Sequence, residues 1–250
     1  RLSKHINLKN PIDIFSPNFH YTILILGGFM STQTTITPID NSVYIERPLA
    51  SDSQINDVLD RSQKSFSLWK NTSIDERIDI INKFIDNLLN LKTEVSKEIC
   101  WQIGRPISQC GNELRGFEER SRHMVDIAKE SLQDIPATKN DEFDNYIYKS
   151  PLGVIFVMAP WNYPIITATN TIVPALLAGN TLVLKHSSQT PMCAELINKA
   201  FENTGLPEGV FQFVHTNHQS CEKIISDPRV SHVVFTGSVR GGQEVKKYIG

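Results

Sequence analysis

The chain has 250 residues, 40% hydrophobic and 21% charged, which is enough apolar material for a sizeable core in one or two domains. Its formal net charge of -2 comes from interspersed acidic and basic residues, without the basic stripe by which nucleic-acid binders neutralise phosphates, so nucleic acid is not an expected partner. The four cysteines form neither a C-x-x-C pair nor a Cys/His cluster at metal spacing, which argues against a disulfide framework or metal site and fits a cytoplasmic location; no apolar run nears the about 20 residues needed to cross a membrane.

Arg1 to Phe29 shows neither helical nor strand periodicity and leads to Met30. Its cationic opening and the apolar run Tyr21 to Phe29 have some character of a signal peptide, but Pro11 and Pro17 interrupt it and no small-x-small cleavage site follows. Residues 1–29 are therefore read as a non-native or disordered leader, with Met30 as the expected start. From Ser51 onward Ile55, Val58, Leu59, Ser62, Phe66 and Trp69 recur at three- and four-residue spacing and predict an amphipathic helix. Ser73 is a candidate N-cap for a second helical face made by Ile78, Ile80, Ile81, Phe84, Ile85, Leu88, Leu89 and Leu91. Val95, Ile99 and Trp101 extend that pattern towards Gly104. A third helix is predicted over Asn112 to Glu130, with Leu114, Phe117, Met124, Ile127 and Ala128 inward and pairs such as Glu118/Arg122 on a solvated face. These helices make up an N-terminal helical part over residues 30–133.

After Ile135-Pro136 the pattern turns extended as far as Pro151. The runs Gly153 to Ala159, Thr181 to Lys185, Val210 to His215 and His232 to Thr236 are then short and β-branched, separated by helix-length segments. That alternation predicts βαβ units and an α/β fold, a doubly wound parallel sheet buried on both faces. Pro164 and Pro191 stand where helices would begin, and Pro174 should kink the first of them.

Doubly wound sheets bind ligands at the carboxyl ends of their strands. The residues there are Ala159-Pro160-Trp161-Asn162, Lys185-His186-Ser187-Ser188, His215-Thr216-Asn217 and Phe235-Thr236-Gly237-Ser238. None carries the G-x-G-x-x-G dinucleotide fingerprint. Read without reference to any family, Asn162 is as well suited to cap the next helix as to donate to a ligand, and Gly237 to form a tight turn. Lys185 ends a buried run, where a charge either faces a ligand or snorkels to water. His215 and His218 have no third metal ligand near them in sequence.

Pro151-Leu-Gly-Val, Ala159-Pro-Trp-Asn-Tyr-Pro164, Pro174-Ala-Leu-Leu-Ala-Gly-Asn180, Lys185, Gln189-Thr-Pro191, Gly205-Leu-Pro-Glu-Gly-Val210 and Phe235-Thr-Gly-Ser238 together resemble the aldehyde dehydrogenase superfamily, from about Ile39 to the end. Members of that superfamily also lack G-x-G-x-x-G. The resemblance implies a Rossmann-like NAD(P)-binding part over residues 151–250, and at residues 134–150 the first part of a β-hairpin arm used in oligomerisation. A homodimer or homotetramer is implied for the full-length protein. Asn162 would be catalytic, its amide holding the oxyanion of a thiohemiacetal. Met158, Ala159, Pro160, Trp161, Lys185, Ser187, Ser188, Phe235, Gly237, Ser238 and Gly241 would hold the cofactor, and Gly242 matches the glycine that lets the last helix approach. NADP or NAD fits, with NADP slightly favoured, because Ser188 replaces the Glu that repels the additional phosphate; His186 is a further possible donor there.

The substrate implied is a small-molecule aldehyde, oxidised to a carboxylic acid through a thioester on a cysteine. That cysteine and the water-activating Glu are expected beyond residue 250, so the fragment alone is expected to be inactive. Cys100, Cys110, Cys193 and Cys221 are read as buried small hydrophobes. Asn170 and Thr171 stand where relatives acting on succinate semialdehyde carry Arg and Lys, which counts against an acidic aldehyde. A non-catalytic protein of the same fold and an acylating aldehyde dehydrogenase remain open alternatives.

Overall fold

The computed structural model describes residues 31–139 and 143–249, so the expected leader and start lie outside the described residues. The chain opens with an antiparallel hairpin, β1 (Thr32–Ile36) and β2 (Val43–Pro48), whose turn holds Asn41 at a φ of 62°. Sequence patterning missed it, because only Thr35 of β1 is buried and the alternation is polar on polar. Helix α1 (Asp52–Trp69) starts at a capping box in which the Ser51 hydroxyl accepts from Gln54 N and the Gln54 side chain accepts from Ser51 N. Helix α2 (Ile74–Asn90) is capped by Ser73 as expected. The chain breaks at Leu91 into α3 (Lys92–Ile103), which Gly104 ends at a φ of 72°.

Helix α4 (Ile107–Ser131) begins five residues before the predicted start. Its inward face differs from the predicted one: Ile127 is exposed, and Val125, Ser121 and Glu113 are buried. Arg122 does not serve a local pair but reaches α2, donating to Asn82 Oδ1 at 2.6 Å and pairing with Asp86. Strands β3 (Ile135–Lys139) and β4 (Asp144–Ile147) then form a second antiparallel hairpin.

The remainder alternates β5 (Val154–Ala159), α5 (Pro164–Leu177), β6 (Thr181–His186), α6 (Pro191–Ala200), β7 (Phe211–Phe213), α7 (His218–Ile225), β8 (Val230–Phe235) and α8 (Val239–Lys246). Pro164 and Pro191 open α5 and α6 at their first turns, where a missing N–H costs nothing, and α5 runs on through Pro174. The four strands are parallel in the order β7-β6-β5-β8.

Every residue of β5 is buried, and its side chains alternate between two cores. Ile155, Val157 and Ala159 join Leu182 and Leu184 of β6 in the larger core, under α2 to α6. Val154, Phe156 and Met158 join Val183 in a smaller one with Ile55 and Leu59 of α1 and Cys221, Ile224 and Ile225 of α7. The larger core is keyed by Phe84, which stacks on Phe201 at 4.0 Å and meets Phe117 edge-on at 5.9 Å. Burial on both faces does not extend to β8. Among the described residues that strand lies at the edge of the sheet, and its Ser231 and His232 are exposed.

Candidate active site

The chain runs outward from β5 to β6 and β7, then returns to place β8 on the other side of β5. The crevice between the ends of β5 and β8 is thus the topological switch point, where open α/β sheets take their ligands. Register brings Met158, Lys185 and Phe235 into one row across three strands, on the face shared with α1 and α7. Just past that row lie the other predicted residues. Ala159 is buried; Trp161, Asn162, Ser188, Gly237 and Ser238 are exposed; Pro160, Lys185, Ser187 and Gly241 are half-buried.

The turn between β5 and α5 is built around Asn162. The cap residue of α5 is Tyr163, whose side chain makes no capping bond, so Asn162 does not serve as the cap. The cap comes instead from α4: the buried Glu113 carboxylate accepts from Ile165 N at 2.7 Å and Ile166 N at 3.3 Å through Oε1. Its Oε2 pairs with Arg105, whose other guanidinium arm donates to the Asn162 carbonyl. That guanidinium lies 4.7 Å from the centre of the Tyr163 ring. No side chain or backbone group among the described residues holds the Asn162 amide.

The loop after β6 is held from several sides. His186, expected as a possible phosphate donor, is buried on the opposite face of the sheet from Lys185. Its Nε2–H donates to Pro164 O at 3.0 Å, and Nδ1 accepts from Ser187 N at 3.0 Å and the Thr190 hydroxyl at 2.9 Å. With both ring nitrogens used, it has nothing to offer a ligand. Burial and the neighbouring Lys185 outweigh the bond to Pro164 and pull its pKa down to about 4. Ser188 O accepts from the Thr35 hydroxyl at 2.8 Å, and Gln189 Nε2 donates to Ile36 O at 2.9 Å. Gln102 Oε1 accepts from Met192 N at 3.1 Å in the first turn of α6. The unanticipated β1–β2 hairpin thus fixes the backbone that presents Ser188.

After β8, Ser238 caps α8 by accepting from Gly241 N at 3.1 Å, which leaves its own hydroxyl hydrogen free to donate. The helix begins at Val239. A Cβ at Gly237 or Gly241 would come within 2.5 or 2.6 Å of the Phe235 ring, whereas one at Gly242 would meet it at an ordinary 3.8 Å. The tight contact with the Phe235 ring thus falls at Gly241, and Gly242 has ordinary room beside it. Gly237 is needed for space, not for a left-handed turn, since its φ is not positive.

His215 is not a free loop residue. Its Nε2 lies 3.0 Å from Glu195 Oε1, and Arg47 grips the same carboxylate at 2.6 and 3.0 Å. Burial alone would raise Glu195, but bonds from His215 and Arg47 hold it below the usual carboxylate range. Asn217 caps α7, accepting from Ser220 N at 2.9 Å. Among the described residues no His, Cys, Asp and Glu side chains group as a metal site, and no helix is long and apolar enough to cross a membrane. Burial pushes the thiols of Cys110, Cys193 and Cys221 up, away from reactive thiolates; Cys100 is only partly buried.

Arg120 of α4 donates to Asn170 Oδ1 at 3.3 Å, so a guanidinium lies beside the position at which Arg was missed in the sequence.

The residues at the strand ends fit a dinucleotide. They combine a cation at Lys185, hydroxyls at Ser187, Ser188 and Ser238, an exposed helix N-terminus at α8 and an exposed indole at Trp161. A model of the aldehyde dehydrogenase family matches residues 29–250. An aldehyde dehydrogenase from Paenarthrobacter nicotinovorans is 31% identical over 200 residues, which cover 79% of this chain and 44% of that protein. Succinate semialdehyde dehydrogenase (NAD(P)+) Sad from Escherichia coli K12 is 28% identical, covering 86% of this chain and 48% of the relative. The structure of succinic semialdehyde dehydrogenase from Streptococcus pyogenes in complex with NADP+ superposes with a TM-score of 0.81 at 25% identity, over 86% of this chain and 48% of that one. The chain spans about half the length of the relatives it matches.

The neutral His186 predicts a pH dependence of stability. Its folded pKa lies below the ordinary 6.5, so its contribution is intact above pH 6.5 and lost as pH falls towards 4, by roughly 3 kcal/mol. Urea unfolding between pH 7 and pH 4 should show that loss. In His186→Asn, whose amide cannot titrate, the slope should be shallower; identical slopes would refute the assignment.

Proposed function

The chain belongs to the aldehyde dehydrogenase family, and from that premise we propose that it is the cofactor-binding half of an enzyme that oxidises an aldehyde to a carboxylic acid with NADP or NAD. The observation that carries this reading is the convergence at the carboxyl end of the sheet of the Asn162, Lys185–Ser188 and Gly237–Ser238 loops, with the Asn162 amide unengaged. In this reading the nucleophilic cysteine and the water-activating Glu lie beyond Gly250. A bound nicotinamide cofactor would supply the hydride acceptor. Lys185, Ser187 and Ser188 would hold its ribose end, and Ser238, with the N–H groups of the first turn of α8, would hold its pyrophosphate. Met158, Ala159, Pro160, Trp161, Phe235, Gly237 and Gly241 line the bed between these points.

Asn162 has the simplest chemistry. An amide N–H is a neutral donor that stabilises a developing oxyanion without titrating, and losing one such donor typically costs about 10² to 10³ in rate. The β3–β4 hairpin, with Ile135, Tyr146, Ile147 and Tyr148 exposed, is read as part of an oligomerisation arm, because apolar side chains set out on a ribbon favour a partner surface.

A finer reading of the substrate is favoured by Arg120. Two of the relatives named above act, by name, on succinate semialdehyde. The guanidinium held at Asn170, about two helical turns along α5 from Asn162, supplies from α4 a cation able to pair a distal carboxylate. An aldehyde that carries a carboxylate at its far end is therefore the substrate class we infer.

Three measurements on the full-length enzyme test these readings. Asn162→Ala should lower kcat by about 10² to 10³ with cofactor affinity nearly unchanged; a loss confined to the KM for cofactor would show that Asn162 is misassigned. For cofactor choice, Ser188→Glu should shift kcat/KM towards NAD by on the order of 10-fold, since a carboxylate there repels the additional phosphate of NADP. Strict NAD dependence of the unaltered enzyme would end the NADP preference. Arg120→Ala should raise the KM for succinate semialdehyde at least about 10-fold relative to propanal, the usual scale for a lost charged hydrogen bond. Equal effects on both aldehydes would remove Arg120 from the site.

A further inference from the structure

The geometry points to the Arg105–Glu113 ion pair as the device that aims the Asn162 amide, which makes both of them positioning residues for the oxidation proposed above; the inference rests on that reading. Helices α1, α2, α7 and α8 take their caps locally, from Ser51, Ser73, Asn217 and Ser238. Helix α5 does not. Its cap residue is Tyr163, and its first N–H groups are satisfied by a carboxylate 52 residues earlier in the chain.

Glu113 is 2% exposed, and burying a carboxylate is costly unless its oxygens are satisfied. Both oxygens are used, one by Ile165 and Ile166 N–H and the other by Arg105. A local Ser or Asp at position 163 would have capped the helix without burying a charge. The ion pair instead spans the turn. Glu113 holds the N–H groups after it, and the free arm of Arg105 holds the carbonyl of Asn162 itself. The guanidinium also covers the Tyr163 ring, and His186 Nε2 holds Pro164 O at 3.0 Å. The backbone from Asn162 to Ile166 is thereby fixed at four points, while the Asn162 amide has no partner among the described residues. A donor built in this way is aligned before the oxyanion forms and pays no reorganisation when it does.

Arg105→Lys separates positioning from folding, because an ammonium can still pair with Glu113 but lacks the planar fork needed to reach the Asn162 carbonyl as well. In the full-length enzyme it should lower kcat by about 10- to 100-fold, the cost of a misplacement on the ångström scale, with cofactor Kd unchanged. In the Asn162→Ala background the same substitution should change kcat by less than about 2-fold, since the group being aimed is gone. Glu113→Gln, which keeps an acceptor for Ile165 N–H and removes the ion pair, should show the same dependence on background. A kcat that either substitution leaves intact, or lowers by the same factor with and without Asn162, would overturn the inference. If Asn162→Ala itself leaves kcat unchanged, the role of Asn162 has failed, and that outcome is distinct from a failure of the pair to position it.

Discussion

Strand β5 sets the terms for the rest of the fold, because all six of its residues are buried, both of its edges are paired and both of its faces are apolar. Such a strand is stable only if helices cover it on both sides. The long N-terminal helices satisfy one side: α2, α3 and α4 join α5 and α6 over Ile155 and Val157, while α1 reaches round to cover Phe156 with α7. Trp69 at the end of α1 links the two layers, its indole N–H donating to Leu176 O at 3.2 Å. Since the strand stops at Ala159, the chain that follows leaves the sheet at its carboxyl end, where the proposed site residues lie.

The polar groups at that end of the sheet divide into those buried and bonded to the backbone and those left exposed, among them the residues proposed to bind. Glu113, His186 and Gln102 are buried and spend their donors and acceptors on the backbone of α5, α6 and the intervening loop. Trp161, Asn162, Ser188 and Ser238 are exposed on the segments so held. Burying an unsatisfied polar group costs more than a satisfied one returns, so the first set must be fully bonded and has nothing left for a ligand. His186 shows this plainly: it adjoins Lys185 in sequence yet lies on the other face of the strand, because side chains alternate.

The β1–β2 hairpin and the Glu195 cluster extend the same logic to the flank of the site. Thr35 and Gln33 reach Ser188 O, while Arg47 of β2 and His215 after β7 close on Glu195 of α6. The loop on which cofactor discrimination is proposed to rest is thus supported from the start of the described chain.

Local chemistry was legible in the sequence. Ser51 and Ser73 mark helix starts because a hydroxyl satisfies N–H groups only two or three residues away, and Pro164 and Pro191 do so because a fixed φ suits a first turn. The four β-branched runs announced a parallel sheet because strands covered on both faces need apolar side chains in both directions. The ordered motifs from Pro151 to Ser238 pointed to the family. What the sequence could not declare was which polar side chain would be buried. The bonds that decide this join residues 22, 52 and 90 positions apart, as in His186 to Pro164, Glu113 to Ile165 and Gln102 to Met192, and no periodicity records them. Nor could it tell that Gly241 rather than Gly242 lies tightly against the Phe235 ring, or that Arg120 supplies a guanidinium beside Asn170. Those outcomes depend on how helices and strands pack in three dimensions, and only the tertiary structure decided them.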